Sequence, residues 1–268
     1  MDFATSLRPS DSGNFDPYFP LAGYDRDDMR LTHEDFISIS VCMRELGFPP
    51  IWSDNPKLYY ILQRLDRAEY CQTFFDAGYT DIWLPFPDRT LRRLLDADDV
   101  NLFSSIQKCC LDDDPPESLE RRHYSVADTG NLGFVEETLL GSGGYGEVHA
   151  VRHRQRGQLF AMKTLSRPGI QRDHLNWAKS FQRELQGMRR VHHHHCVELV
   201  ASYTDLNSFM LLCSPVADMD LSKFMDADLD SFQLSLLRHA VGCITSALTY
   251  LHSMNIRYAV AFVNLDER

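Results

Sequence analysis

A glycine-rich segment is the part of this sequence whose residue types and spacing are best suited to chemistry. Gly141, Gly143 and Gly146 follow the pattern Gly-x-Gly-x-x-Gly, and Val148 comes two residues later. Glycines spaced in this way let a backbone approach phosphate groups closely, because no side chain intervenes. By itself the pattern is a weak signal, since it also occurs in dinucleotide-binding folds, where a helix begins directly after the third glycine.

The residues that follow the glycines distinguish between these two kinds of phosphate site. Residues 147–154 alternate as a strand does, residues 155–158 are typical of a turn, and residues 159–165 form another strand-like run. A strand, a glycine-rich turn and a second strand together make a flap that folds over phosphates. A dinucleotide-binding oxidoreductase is the less favoured alternative, and a helix directly after Gly146 would support it.

This pattern resembles the small lobe of a eukaryotic protein kinase. The run Phe160-Ala161-Met162-Lys163 is similar to the third strand of that family, whose lysine reaches the α- and β-phosphates of ATP. Residues 175–191 are similar to the family's C-helix, and the resemblance pairs Glu184 in this segment with Lys163. A lysine ammonium offers a point charge to a polyphosphate and needs a carboxylate to hold it. The alternative is that both residues are ordinary solvated charges.

The resemblance also implies which residues surround ATP. Residues 208–217 are similar to the family's fifth strand and hinge, and Leu221 sets the register so that Cys213 falls at the gatekeeper position. Catalytic roles are implied for Lys163 and Glu184. The residues expected to contact ATP are Leu140, Gly141, Ser142, Gly143, Gly144, Tyr145, Gly146, Val148, Ala161, Lys163, Ser214 and Val216. The complete family also uses magnesium, but its ligands are not found in this sequence, so no metal site is expected.

The resemblance stops after residues 231–253, which end like the kinase E-helix. The family continues with Ile-x-His-Arg-Asp, whereas Tyr258, Ala259 and Val260 stand here at the positions of the His, the Arg and the catalytic Asp, and no DFG motif or activation segment follows. Phosphoryl transfer uses that Asp for the incoming hydroxyl. We therefore expect an ATP-binding, truncated kinase domain whose parent activity is transfer to protein Ser or Thr, but which is itself inactive. The alternative is a pseudokinase-like or dominant-negative module that binds another protein.

Four consecutive histidines, residues 192–195, suggest zinc binding, because imidazole is a common zinc ligand. Four adjacent side chains cannot all point at one ion. The resemblance gives another interpretation, since kinases often carry a His in the loop after the C-helix, matched here by His193 or His195. The seven cysteines are scattered and form no Cys-x-x-Cys pair, so neither a zinc site nor a disulfide framework is expected.

Composition divides the 268 residues into four parts. We expect a flexible leader at 1–30, a helical region at 31–107, an acidic linker at 108–130 and a partial protein kinase domain at 131–268. The expected fold class is α+β: a kinase-like small lobe with a five-stranded antiparallel sheet and a C-helix, the D and E helices that begin the large lobe, and the helical region before them. The aromatic segment 83–87 is expected to pack helices together, with a binding surface as the alternative.

Charge and hydropathy exclude several classes of partner. Lys and Arg number 27 and Asp and Glu 38, which gives a net charge of −11. An acidic chain repels phosphate backbones, so nucleic-acid binding is not expected. No stretch approaches the roughly 18 apolar residues that cross a bilayer, and the N-terminus has no signal-peptide pattern. The scattered, odd number of cysteines indicates a reducing intracellular compartment, cytoplasm or nucleus. ATP is the expected ligand, and the protein partner or substrate stays unspecified.

Overall fold

A computed structural model describes residues 30–112, 121–143, 146–167, 174–217, 219, 221–226 and 230–256. The helices are α1 (His33–Glu45), α2 (Pro50–Ser53), α3 (Pro56–Arg64), α4 (Tyr70–Asp76), α5 (Asp88–Leu91), α6 (Ala97–Ile106), α7 (His174–Arg190), α8 (Leu221–Met225) and α9 (Ser231–Ser253). The strands are β1 (His123–Ser125), β2 (Phe134–Gly143), β3 (Gly146–His153), β4 (Leu159–Ser166), β5 (Glu198–Thr204) and β6 (Ser208–Ser214). Short 3-10 helices span Asp81–Trp83, Gln107–Cys110 and Thr129–Asn131.

Helices α1 to α6 confirm the predicted helical region, and side-chain caps define two of their starts. At α1 the Asp35 backbone N–H donates to Thr32 Oγ1, and the Asp35 carboxylate accepts from the Thr32 N–H, which is a capping box. At α3 the Asp81 carboxylate accepts from the Lys57 and Leu58 N–H groups at 2.9 and 2.8 Å. Because Asp81 belongs to a later 3-10 helix, this cap also ties two parts of the helical region together.

The sheet has six strands in the order β1-β5-β6-β4-β3-β2. The five predicted antiparallel strands of the small lobe are confirmed as β2 to β6, and β1, which lies before them in the chain, adds a sixth, parallel strand beside β5. The expected linker therefore contains a strand. The rings of Tyr124 and Tyr203 stack at 5.4 Å, and His123 lies between the hydroxyls of Ser202 and Thr204 at 3.0 and 3.1 Å.

Both faces of the sheet are covered. One face packs with α7 and the helical region in a single hydrophobic core, to which the sheet contributes Leu165, Leu199, Phe209, Leu211 and Cys213. The other face carries a smaller core of Tyr124, Val126, Leu132, Val151, Phe160, Met162, Ala201, Tyr203 and Leu212. The alternation of side chains along each strand explains why neighbouring residues belong to different cores. The helical region is thus joined to the sheet by a shared interior.

The aromatic segment 83–87 lies inside this larger core. Trp83 and Phe86 are 2% and 1% exposed. Trp83 also contacts Phe209 of β6 edge to face, with ring centroids 5.0 Å apart. The segment therefore packs in the core, as expected, and its contacts extend beyond the helices to the sheet.

Helix α9 begins at a second capping box, formed by Asp230 and Gln233. One side of it packs Ala247 and Leu251 against the loop between α7 and β5. Away from this contact α9 exposes apolar side chains, with Phe232 69% and Val241 65% exposed. Among the helices that the structure describes, none is long and apolar enough to span a bilayer. Residues 1–29 of the expected leader and 113–120 of the expected linker lie outside the described residues.

Candidate functional site

The glycine-rich segment lies at the end of the hairpin formed by β2 and β3. Gly141 pairs with Val148 across the two strands. Gly146 has a φ of +123°. A Cβ at this residue would collide with the carbonyl oxygen of Thr164 and lie 3.0 Å from its carbonyl carbon. Glycine is required here, because β4 passes against the backbone and the conformation is one that side chains disfavour.

Lys163 and Glu184 form an ion pair next to this hairpin. The Lys163 Nζ atom lies 2.9 Å from Glu184 Oε1. The two side chains are 31% and 43% exposed, so the pair is open to solvent. An ammonium group has three donors. Lys163 can therefore donate to an anion while Glu184 holds it in place.

The alternation of β4 explains why Lys163 points at α7. Ala161, Lys163 and Leu165 share one face of the strand, and Leu165 packs in the same core as Phe181 and Leu185 of α7. Glu184 lies three residues and Leu185 four residues after Phe181, so both side chains fall next to Phe181 on the helix surface. The burial of α7 against the sheet therefore sets the direction of Glu184.

The register of the sheet places several predicted residues side by side. Lys163 pairs with Val148 of β3, and Ala161 pairs with Cys213 of β6. Cys213 is buried, and burial raises the pKa of its thiol to about 12, with Lys163 lowering it and Glu184 raising it to smaller extents. The thiol is therefore neutral at physiological pH. The row of paired residues Val148, Lys163, Ala161 and Cys213 thus offers an apolar surface beside a cation.

The remaining predicted residues lie at the two ends of this row. Ser214 ends β6 and Val216 follows it, and both are half-buried. Leu140, Gly141 and Ser142 lie exposed on β2, and Gly143 ends that strand. Gly144 and Tyr145 are outside the described residues. The predicted positions that are described thus lie along the four neighbouring strands β2, β3, β4 and β6, from the hairpin to just beyond the end of β6.

The histidine loop contacts α9. The ring of His193 stacks on Tyr250 with centroids 5.0 Å apart, and its Nε2 lies 3.3 Å from Ser246 Oγ. The Tyr250 hydroxyl also accepts from the His192 N–H at 2.9 Å. Across the part of the chain that the structure describes, no group of three or more His, Cys, Asp or Glu side chains could hold a metal ion.

Sequence reasoning missed the residues that join the candidate site to the helical region. Arg167, directly after β4, is buried and donates to the carbonyl oxygens of Pro85 at 2.7 Å, Trp83 at 2.5 Å and Asp205 at 2.6 Å. Gln182 of α7 donates to Thr80 Oγ1 at 3.1 Å. A single Arg or Gln carries no spacing signal, so only the tertiary structure shows these contacts.

Comparison with known proteins gives matches to one family. Residues 134–259 match the family model described as protein kinase domain. The mitogen-activated protein kinase kinase kinase A of Dictyostelium discoideum is 24% identical over 145 residues, which is 53% of this chain and 15% of that protein. The Aurora kinase of Candida albicans is 29% identical over 118 residues, 44% of this chain and 22% of that protein.

A human relative matches over a similar length. The mitogen-activated protein kinase 13 of Homo sapiens is 29% identical over 128 residues, 46% of this chain and 33% of that protein. The chain therefore covers a third or less of the length of each of these three relatives. The family model covers β2 to β6, α7, α8 and α9 but not β1 or α1 to α6, since it begins at residue 134.

Proposed function

We propose that the chain binds ATP between its glycine-rich hairpin and Lys163, because residues 134–259 match the family model described as protein kinase domain. The observation that carries this proposal is the ion pair of Lys163 with Glu184, 2.9 Å long, on the strand next to the hairpin. The pair presents an ammonium held in a fixed direction, and the hairpin presents a backbone without side chains at Gly141 and Gly146. Both features suit a polyphosphate anion.

Each part of the proposed site has a distinct physical role. Lys163 would donate to phosphate oxygens, and Glu184 would keep its ammonium from turning into solvent. Val148 and Ala161 lie on adjacent strands and would cover one face of the adenine ring. The backbone groups of Ser214 and Val216 would meet the edge of the adenine, as the family pattern implies. The buried, neutral thiol of Cys213 adds apolar surface beside the ring.

Titration with a fluorescent ATP analogue tests this proposal. Lys163→Met removes a charged donor, and we expect the affinity to fall about tenfold or more. Lys108→Met is the matched control, because Lys108 is exposed on the 3-10 helix Gln107–Cys110, and its affinity should equal that of the wild type. Equal affinity in the wild type and Lys163→Met would overturn the proposal.

We further propose that this chain transfers no phosphoryl group. On the family pattern, Val260 stands at the position of the catalytic Asp and Leu265 at that of the magnesium-binding Asn. A valine cannot accept the proton of an incoming hydroxyl, and a leucine cannot bind magnesium. Incubation with radiolabelled ATP, magnesium and a general substrate such as myelin basic protein should give no labelled protein, and labelling abolished by Lys163→Met would contradict this.

A binding function is the second candidate, and the residues at 258–260 favour it. A chain that binds ATP without transferring phosphate would act by contact with another protein, such as a complete kinase. For the whole protein we propose transfer of a phosphoryl group from ATP to Ser or Thr side chains of another protein. Capture of a purified kinase by this chain, retained in Lys163→Met, supports the binding function, and loss of capture in that variant contradicts it.

A further inference from the structure

We propose that the helical region, residues 31–107, positions Glu184 by bracing α7, so that the Lys163–Glu184 ion pair depends on a part of the chain outside the kinase family match. The inference rests on the proposed function, because it concerns the same site. It assigns positioning roles to Thr80, which contacts Gln182 of α7, and to Trp83, which reaches α7 through Phe209.

The first support is a chain of aromatic contacts that runs from the helical region to α7. Trp83 contacts Phe209 of β6 with centroids 5.0 Å apart, and Phe209 contacts Phe181 of α7 at 4.9 Å. All three rings are buried. Phe209 is therefore held between the helical region on one side and α7 on the other, and displacement of Trp83 frees the space against which Phe181 packs.

The second support is a set of polar contacts around these rings. Gln182, next to Phe181 on α7, donates to Thr80 Oγ1 at 3.1 Å. The guanidinium of Arg167 lies 5.5 Å from the centroid of Trp83 and 5.3 Å from that of Phe209, and it donates to the Trp83 carbonyl oxygen. Hydrogen bonds are directional, so these contacts fix the position of Trp83 along α7 and β6 and not only its burial.

The geometry of α7 links these contacts to the ion pair. Phe181 and Gln182 lie three and two residues before Glu184, less than one helical turn away. Leu185, the residue after Glu184, is buried in the same core as Trp83. A rotation or shift of α7 that released Phe181 would therefore also move the Glu184 carboxylate, which is 2.9 Å from Lys163 Nζ in the braced position.

A zero-length cross-link between Lys163 and Glu184 measures the ion pair directly and needs no nucleotide. A carbodiimide activates the Glu184 carboxylate, the Lys163 amine attacks it, and an amide forms while the carbodiimide leaves as a urea. Mass spectrometry of the digested full chain gives the yield. The pair of Lys57 Nζ and Asp112 Oδ2, 3.0 Å apart, joins the helical region to the segment that follows it and is an internal reference for the folding of that part of the chain.

Two tryptophans of the helical region provide the matched variants. Trp83 contacts β6, whereas Trp52 contacts Phe48, Tyr59 and Phe75 within the helical region. We expect Trp83→Leu to lower the Lys163–Glu184 cross-link yield about threefold relative to Trp52→Leu, since it removes an aromatic contact to the sheet. Equal yields in the two variants, with the Lys57–Asp112 reference intact, would overturn the proposal.

A milder pair of variants covers the case in which the tryptophan variants fail to fold. Gln182→Ala removes the hydrogen bond to Thr80, and Gln186→Ala changes an exposed glutamine one turn later on α7. We expect the yield of the Lys163–Glu184 cross-link to fall about twofold in Gln182→Ala and to stay at the wild-type level in Gln186→Ala. An unchanged yield in Gln182→Ala counts against the proposal.

Nucleotide titration of the same variants separates this inference from the proposed function. If the wild type binds the ATP analogue, affinity should fall in Gln182→Ala in parallel with the cross-link. If the wild type binds no nucleotide, the proposed function fails, but the cross-link comparison still decides whether the helical region positions Glu184.

Discussion

Gly146 occupies a constrained position in the hairpin formed by β2 and β3. Its φ of +123° and the nearby carbonyl of Thr164 leave no room for a side chain. Gly141, on the opposite strand of the hairpin, has no atom within 4 Å of where its Cβ would be. The two glycines belong to one motif, but only Gly146 is required by the packing of the hairpin, both by its backbone conformation and by the carbonyl that approaches it.

We therefore expect Gly146→Ala to lower the free energy of unfolding by at least about 2 kcal/mol, because β3 must move away from β4 or accept strain. Gly141→Ala should change it by less than about 0.5 kcal/mol. Urea denaturation followed by circular dichroism measures both. Equal losses of stability in the two variants would show that the hairpin does not pack against β4 as described.

Asp81 makes stability depend on pH in a direction opposite to that of most carboxylates. Burial raises the pKa of Asp81 from 3.8 to about 6, although the N–H groups of Leu58 and Lys57 and the charge of Lys57 lower it. Between these two pKa values the folded state holds the proton more tightly than the unfolded state. The contribution of Asp81 to the free energy of unfolding is therefore largest below about pH 4 and falls as the pH rises to about 6.

Asp81→Asn removes this titration. The stability of the wild type relative to Asp81→Asn should fall by about 2 kcal/mol between pH 4 and pH 7. Urea denaturation at a series of pH values measures the difference. Asp54→Asn is the control, because Asp54 is exposed in its ion pair with Arg44. The stability of the wild type relative to Asp54→Asn should not change in this way between pH 4 and pH 7. A decline of the same size in that difference would contradict the assignment to Asp81.

At the scale of elements, sequence predicts what local periodicity and local residue order determine. The strand alternation around Lys163 and the helical spacing up to Leu251 lie within single segments, so β3 to β6 and α9 could be predicted. Strand β1 could not, because His123–Ser125 is three residues long and lies in a charged stretch. Its pairing with β5 depends on residues such as Tyr203, far along the chain.

The candidate site also contains residues that the sequence could predict and contacts that it could not. The motif resemblance indicated Lys163 and Glu184, and the structure places their side chains 2.9 Å apart. The packing of Trp83 was predicted, but its contact on β6 was not, because nothing in either segment specifies the other. The partners of Arg167 are backbone carbonyls, which every residue has, so no pattern of residue types could identify them.

The exposed apolar side chains of α9 predict that copies of this chain associate with each other. Val241 is 65% exposed, whereas Ala247 is 3% exposed on the packed side. Val241→Ser should lower the light scattering of a concentrated sample and change the free energy of unfolding by less than about 0.5 kcal/mol. Ala247→Ser buries a hydroxyl and should cost about 1 kcal/mol without improving solubility. Unchanged scattering in Val241→Ser would show that α9 does not cause association.

At the scale of the whole molecule, Arg167 connects the sheet to the helical region. Burial lowers the pKa of its guanidinium to about 10, so it stays charged at neutral pH, and its three carbonyl partners compensate for the loss of water. Two of those carbonyls belong to residues 83–85 and the third to Asp205 after β5. One buried charge thus satisfies backbone acceptors from both regions.

Arg167→Met should therefore lower the free energy of unfolding by at least about 3 kcal/mol, because it leaves buried carbonyls without donors. It should also uncouple the two regions. Hydrogen exchange of the wild type should show the helical region and the sheet opening together, whereas in Arg167→Met the two should open separately. Arg44→Met, at an exposed ion pair, should change stability by less than about 0.5 kcal/mol. Joint opening in Arg167→Met would contradict the bridging role.

The common interior of the helices and the sheet also constrains how this chain can change over generations. A substitution that alters the volume of Trp83 changes the space around Phe209 and Phe181, so related chains should vary at these three positions together. A helical region exchanged with that of a distant relative would bring side chains fitted to a different sheet. The two regions should therefore be inherited as a pair, even though the family pattern covers only one of them.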